Sequence, residues 1–278
     1  MSDRNQRIQV FEDTLDFIDY NKVLADSVEF SKENTTIYYD DEYPVFDQSV
    51  KKDMKVYVTP EKTFESAMRL SREDGSKKIA VMNFANAFHP GGGVAKGSNA
   101  QEECLCRCST LYPVLTQKFL KEEFYDFHAE YDSNKATDSL IYSENIVICK
   151  TDEDLPQRLS EKDFVKVDVI TVAAPDLRDA ENPYEDLSSP ADMSDAELFG
   201  IHVKRAIHVL SVAAAKEVDT LVLGAFGCGA FRNDPKVVAN AYKTALSVFP
   251  KAFDKIVFAV YCTPGSSENY DVFKEVLG

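Results

Sequence analysis

The segment Lys78-Ile79-Ala80-Val81-Met82-Asn83-Phe84 is a nearly continuous apolar run, and it leads into His89-Pro90-Gly91-Gly92-Gly93. Such a run suits a strand buried on both faces of a sheet. After Gly93 and seven intervening residues comes Gln101-Glu102-Glu103, at the predicted start of a helix over residues 100 to 112. A second segment repeats this arrangement. Thr220-Leu221-Val222-Leu223 predicts a strand, Gly224-Ala225-Phe226-Gly227-Cys228-Gly229-Ala230-Phe231-Arg232-Asn233 a glycine-rich loop, and Asp234-Pro235 a helix start with proline in its first turn. Glycines let backbone N–H groups come close to a phosphate, and a helix N-terminus adds a favourable dipole. In open α/β sheets, ligands bind at the C-terminal ends of the strands. One such loop reads as a tight turn, whereas two at equivalent sheet positions predict a pyrophosphate pocket.

Outward from these loops the chain keeps alternating. Further strands are expected at Thr36–Tyr39, Lys55–Val58, Asn145–Cys149, Val167–Ala174 and Lys255–Tyr261. Ile8, Phe11, Leu15 and Ile18 recur at helical spacing, which predicts one amphipathic helix over residues 4 to 25. Thr59-Pro60 is read as cap and first residue of a helix that buries Phe64, Ala67 and Met68. Ser194 with Glu197 has capping-box spacing for a long helix ending near Val218, and a last helix is expected over 266 to 277. The fold class is therefore α/β: three layers, α/β/α, around a largely parallel or mixed sheet. The expected organisation is a helical N-terminal extension over residues 1–54 and a catalytic unit over 55–278 that form one compact body. The acidic stretch 179–197 is read as a surface loop.

Composition excludes several classes of function. The 278 residues carry 31 Lys and Arg against 47 Asp and Glu, a net charge of −16. Affinity for duplex nucleic acid or anionic membrane comes from clustered cations, so neither is an expected partner. No run is read as a membrane span, and the start, Met1-Ser2-Asp3-Arg4-Asn5, lacks the apolar core of a signal peptide. The six cysteines are too sparse for a disulfide scaffold, and a reducing cytoplasm is the expected compartment.

The candidate chemistry narrows by elimination. A Walker A loop would need Lys before Ser or Thr, but Gly97 follows Lys96; the dinucleotide fingerprint would need glycine where Lys96 stands. On a helix, Cys104 and Cys108 share a face while Cys106 points away, so these thiols cannot converge on one ion; no metal and no cofactor are predicted. Cys228 has no histidine placed by pattern to act as its base. Glu102 and Glu103 at a helix start would ordinarily serve the helix dipole. Neighbouring helical side chains point about 100° apart, so one acid can face a pocket while the other orients it or holds another substrate group.

Gly-Gly-Gly, seven residues and Gln-Glu-Glu together resemble the signature of the poly(ADP-ribose) glycohydrolase family, and the chain is similar to its short, bacterial-type branch, a macrodomain behind a helical extension. The loop Gly224 to Pro235 resembles the diphosphate-embracing loop of that branch. The resemblance implies hydrolysis of ribose–ribose O-glycosidic bonds of poly(ADP-ribose), with the polymer or an ADP-ribosylated protein as partner and ADP-ribose as product. Exo and endo cleavage both stay open, and a pocket that closes over the terminal ribose would favour exo. It implies that Glu103 is the general acid and base, that Glu102 bonds ribose hydroxyls, and that Asn86 contacts ribose. Gly91, Gly92 and Gly93 would line the distal ribose and phosphate, with Gln101 in the same substrate-binding set. Gly227, Cys228, Gly229 and Ala230 would offer backbone donors to the diphosphate, and Phe231 would fix the ribose angle. Tyr270 or Phe273 is open to adenine stacking or to the core. The alternatives are a non-catalytic reader of ADP-ribose and a hydrolase of another acceptor such as modified nucleic acid; an intact Gln101-Glu102-Glu103 favours the enzyme.

Overall fold

In the computed structural model the apolar run at 79–85 forms the middle strand of a seven-stranded mixed sheet. The described residues are 3–46, 54–73, 77–131, 134–178, 193–263 and 265–278. In chain order the strands are β1 (Thr35–Tyr38), β2 (Lys55–Thr59), β3 (Ile79–Ala85), β4 (Leu140–Ile148), β5 (Val165–Ala173), β6 (Thr220–Leu223) and β7 (Lys255–Ala259). The helices are α1 (Asp3–Tyr20), α2 (Lys22–Glu33), α3 (Thr63–Glu73), α4 (Gln101–Cys108), α5 (Leu111–Leu115), α6 (Lys118–Leu120), α7 (Phe127–Tyr131), α8 (Asp195–Ala215), α9 (Pro235–Val248) and α10 (Glu268–Leu277). The order across the sheet is β1-β4-β5-β3-β6-β7-β2. The five strands from β5 to β2 are parallel, and β4 runs antiparallel to both β5 and β1.

Strand alternation builds two separate cores. Along β3, Ile79 and Val81 join Phe11, Leu24, Phe64, Leu105 and Leu111 in one layer. Ala80 and Met82 join Val209, Leu210, Val238, Tyr242 and Phe273 in the other. Side chains of period two thus face α1 to α5 on one side and α8 to α10 on the other, the expected three layers. Phe273 is wholly buried in the second core, which leaves it no ligand role, and the half-buried Tyr270 packs against that core.

Several local expectations change. The helix expected over 4–25 divides at Asn21, whose Oδ1 accepts the Leu24 N–H at 3.1 Å and caps α2. The extension expected over 1–54 is helical in α1 and α2 and also supplies the edge strand β1. Thr59 ends β2 rather than capping α3. The Phe64 and Glu65 N–H groups donate instead to Asp152 Oδ2, at 3.1 and 3.3 Å. β4 begins before the expected Asn145, because a bulge between Ser143 and Ile146 interrupts its pattern. Asn145 takes φ 57° there, and its N–H donates to Asp168 Oδ1 at 2.9 Å.

Helix α8 is capped by Ser194, whose hydroxyl accepts the Glu197 N–H. By length and composition alone, α8 is apolar enough to cross a membrane, contrary to the sequence expectation. Its apolar residues are spent on the second core, and it also carries the buried His202, Arg205 and His208. The expected acidic loop lies outside the described residues over 179–192.

Candidate active site

β3 and β6 are parallel neighbours, so the two glycine-rich loops leave the same sheet edge side by side. They meet at Gly224, where a Cβ would lie 2.8 Å from Ala259 O and 2.9 Å from Phe84 Cζ. Only a residue without a side chain lets the ends of β3, β6 and β7 close this tightly.

The helix carrying Gln101-Glu102-Glu103 is tied to β3 by the first two side chains and to the glycine turn by the third. Gln101 Oε1 accepts the Phe84 N–H at 2.9 Å, while its Nε2 donates to Met82 O at 2.7 Å and Thr63 Oγ1 at 3.1 Å. Expected to touch substrate, Gln101 instead has its amide committed to protein, and it fixes α4 against β3 and α3. Glu102 Oε2 accepts the Asn86 N–H at 2.8 Å, and Glu102 Oε1 accepts Asn83 Nδ2 at 3.1 Å. Glu103 Oε1 accepts the Gly93 N–H at 2.9 Å and Oε2 the Ala100 N–H at 2.8 Å. Glu103 thereby closes one half of a capping box on Ala100. The expected partnership of Ser98 with Gln101 does not form, because Ala100 is the residue at the N-cap.

The two acids diverge as adjacent helical residues must, one reaching under Asn86 and the other under the triple glycine. Glu102 is 2% exposed and Glu103 7%. Gly92, at φ +56°, makes the second approach possible: a Cβ there would sit 2.5 Å from Glu103 Oε1. The Gly92 N–H donates to His89 O and that of Gly93 to Glu103, so these glycines line the site while their donors serve the loop itself. Asn86 Oδ1 accepts the Phe88 and His89 N–H groups, both at 2.8 Å, which shapes the turn before the glycines. Among the described residues Asn86 Nδ2 has no acceptor, so it remains available to a ligand.

Burial, above all, and the neighbouring Glu103 push the Glu102 carboxyl up to about 8, against the hydrogen bonds from Asn86 and Asn83 that favour its charged form. Among the described residues Asn83 Oδ1 is buried without a partner, while Asn83 Nδ2 faces Glu102 Oε1 and Thr171 Oγ1. Rotating that amide by half a turn would present Oδ1 to a proton on Glu102 and to the Thr171 hydroxyl. The folded chain then holds a proton that the unfolded chain, with an ordinary carboxyl near 4.5, has lost. The stabilisation is complete below about pH 4.5 and is lost as pH rises toward 8. At about 1.4 kcal/mol per unit the whole span is on the order of 5 kcal/mol. Glu102→Gln mimics the protonated acid and should flatten this slope. Thermal melts of parent and variant from pH 5 to 8 test this, and parallel curves would refute it.

The second loop is built on Asn233. Its Oδ1 meets His202 Nε2 at 2.7 Å, and its Nδ2 donates to Pro175 O at 2.7 Å and Phe231 O at 3.0 Å. Burial pushes the His202 imidazole down to about 4, which keeps the ring neutral and donating. The Cys228 N–H donates to Ala225 O at 3.1 Å, so the expected backbone donor at Cys228 is already committed within the loop. The N–H groups of Gly227, Gly229, Ala230 and Phe231 have no acceptor among the described residues, and Gly229 and Ala230 are exposed at the tip. Phe231 is held from behind: Leu177 N–H donates to its carbonyl at 3.0 Å, and the Arg178 guanidinium lies 5.2 Å from its ring centre. Arg178 is itself paired with Asp176. Sequence reasoning missed Asn83, Asn233, Asp176 and Arg178; the Asn233-Asp234-Pro235 run signalled only the cap of α9.

Two buried acids behind the loop that follows β3, with amide donors and an aromatic side chain on the loop that follows its neighbour β6, suit a phosphorylated sugar whose glycosidic oxygen needs a proton. Comparison with known proteins gives the same direction. The family described as microbial-type PARG, catalytic domain, matches residues 14–151. A poly(ADP-ribose) glycohydrolase from Thermomonospora curvata bound to the inhibitor ADP-HPD is 28% identical, with a TM-score of 0.80 over 98% of this chain and 99% of that one. One from Deinococcus radiodurans in complex with ADP-ribose is 32% identical, with a TM-score of 0.73 over 89% of this chain and 95% of that one. No curated protein sequence matches. The chain belongs to the microbial-type poly(ADP-ribose) glycohydrolase family.

Proposed function

We propose that this chain hydrolyses the ribose–ribose O-glycosidic bond of poly(ADP-ribose) from the chain end, releasing ADP-ribose, with Glu103 as the acid and base. The observation that carries this reading is the Glu103 carboxyl, gripped by the Gly93 and Ala100 N–H groups beside a second loop with unspent amides. The Gly229, Ala230 and Phe231 amides hold the diphosphate, and the Phe231 ring sets the angle of the distal ribose. Glu103 gives its proton to the leaving ribose oxygen as the C1–O bond breaks, and positive charge develops at C1. The resulting carboxylate then takes a proton from the water that adds to C1, which regenerates the acid. Glu102 bonds a ribose hydroxyl and keeps the sugar over its neighbour. The polymer is presented on an ADP-ribosylated protein, and with a charge of −16 the surface is not one that tracks nucleic acid.

Time-resolved digestion of automodified polymer tests the reading. Monomeric ADP-ribose should accumulate from the first time points without free oligomers. Oligomers would overturn end-recognition, and binding of ADP-ribose without cleavage would make the chain a reader. Because the diphosphate contacts are amides and Arg178 is already paired, the Kd for ADP-ribose should change by less than about three-fold between ~50 and ~250 mM salt.

A further inference from the structure

The catalytic turn between Gly93 and Ala100 is braced by the first helix of the chain. Terminal residues ordinarily fray unless something ties them down. Here Arg4 Nε donates to Lys96 O at 2.6 Å, and Arg7 Nε donates to Gly97 O at 2.8 Å. Gly97 has φ +74°, and a Cβ there would lie 2.5 Å from Arg4 O, so the α1 backbone rests on the turn itself. From the other side the buried Arg107 of α4 donates to Ser98 O at 2.6 Å and to Asn99 Oδ1. Three successive carbonyls, those of Lys96, Gly97 and Ser98, each receive a guanidinium, a charge-assisted donor of the stronger kind. This turn lies between the two N–H groups that hold the two Glu103 oxygens.

We propose that Arg4 and Arg7 are positioning residues for Glu103: they fix the 94–97 turn from outside the site and so hold the Gly93 and Ala100 amides at the carboxyl group. Neither touches substrate in this scheme, which rests on Glu103 being the proton donor. Their contribution can be separated from helix docking, because α1 has other anchors. The Phe11 ring stands edge-on to Tyr112 at 4.9 Å, Thr14 Oγ1 donates to Arg107 O at 2.6 Å, and Lys150 Nζ donates to Val10 O at 2.8 Å. Phe11 and Ile18 are also in the core. Loss of the two guanidinium groups should therefore loosen the turn and leave the helix in place.

The test is the double variant Arg4→Ala/Arg7→Ala in the full chain, read by turnover, ADP-ribose affinity, melting temperature and amide exchange of residues 93–100. A displacement of the acid by a fraction of an ångström should lower kcat on polymer by about ten-fold, with KM and the Kd for ADP-ribose within about two-fold. Exchange in the turn should quicken by at least about ten-fold, and Arg4→Lys/Arg7→Lys should recover most of the lost kcat, since an ammonium can still reach the carbonyls. Unchanged exchange would overturn the brace whatever the activity. Faster exchange with unchanged kcat would overturn the positioning role. A fall in kcat matched by lost ADP-ribose binding and a collapse in melting temperature would assign the pair a merely structural role; if the double variant does not fold, Arg7→Ala alone decides by the same readings. A parent chain inactive on polymer would instead sink the proposed function, and the exchange measurement would still judge the brace.

Discussion

Replacing Glu103 by glutamine should lower turnover of poly(ADP-ribose) by about 10²- to 10⁴-fold, the range expected for loss of a positioned general acid and base. The substitution does more than remove a proton. Both Glu103 oxygens accept backbone N–H groups, and a glutamine side chain sets its own NH₂ against one of them. An unsatisfied donor of this kind costs about 1–3 kcal/mol when buried, so a modest fall in melting temperature should accompany the loss. The two contributions separate by leaving group. An ADP-ribosyl substrate with an aryloxide leaving group needs little protonation, and its cleavage should fall far less than that of the polymer. Equal losses on both substrates would show that Glu103 only supports the turn, and wild-type rates on polymer would refute its assignment outright. ADP-ribose should still bind, because the amides of the Gly227–Phe231 loop are untouched.

Gly92→Ala is the second severe change, and it acts without altering any titrating group. Gly92 has φ +56°, a conformation that costs an L-residue roughly 1–2 kcal/mol, and its added Cβ would lie 2.5 Å from Glu103 Oε1 and 3.2 Å from Glu102 Oε2. Because α4 is pinned by Gln101, the carboxylates cannot retreat with the helix; the glycine turn must move away or Glu103 must swing out of its two hydrogen bonds. Misplacement of a catalytic group by about 1 Å is enough for a 10²-fold loss, and activity should fall at least that far. Gly200→Ala provides the control. That glycine lies within α8, and an added Cβ would meet nothing within 4 Å, so alanine should stabilise by about 0.5–1 kcal/mol and leave activity unchanged. Near-normal turnover by Gly92→Ala would mean that the carboxyl group works from another position.

The two loops and their shared sheet edge are legible in the sequence because they depend on near neighbours: apolar runs, glycines, and Asp234 before Pro235, whose Oδ1 accepts the Lys236 and Val237 N–H groups. What stays hidden depends on groups far apart in the chain. No local pattern announces that Asp152 caps α3, since the Thr59-Pro60 pair nearby looks like a cap and is not used. Gln101 reads as part of a ligand-binding signature, although its amide is the fastener between α4 and β3. The donor expected at Cys228 fails because the turn closes on Ala225, a conformational fact that composition cannot show. The break at Asn21 is marked by a capping residue, but the apolar spacing of Ile8, Phe11, Leu15 and Ile18 ends before it and does not say where one helix stops and the next begins.

The place of β2 in the sheet bears on how the protein is made. Lys55 of β2 lies beside Lys255 of β7, about 200 residues later in the chain, and β7 is the strand that β2 pairs with. At a synthesis rate of about 5–20 residues per second, that edge waits tens of seconds for its partner on the ribosome. Throughout most of that interval the Gln101-Glu102-Glu103 segment is already made, whereas β6, the Gly227–Phe231 loop and β7 are not. A nascent chain halted midway would carry the acids without the wall that faces them and would expose unpaired strand edges, the feature that invites aggregation. Activity should therefore emerge only with the last strand, and fragments ending before residue 255 should be both inert and dependent on chaperones.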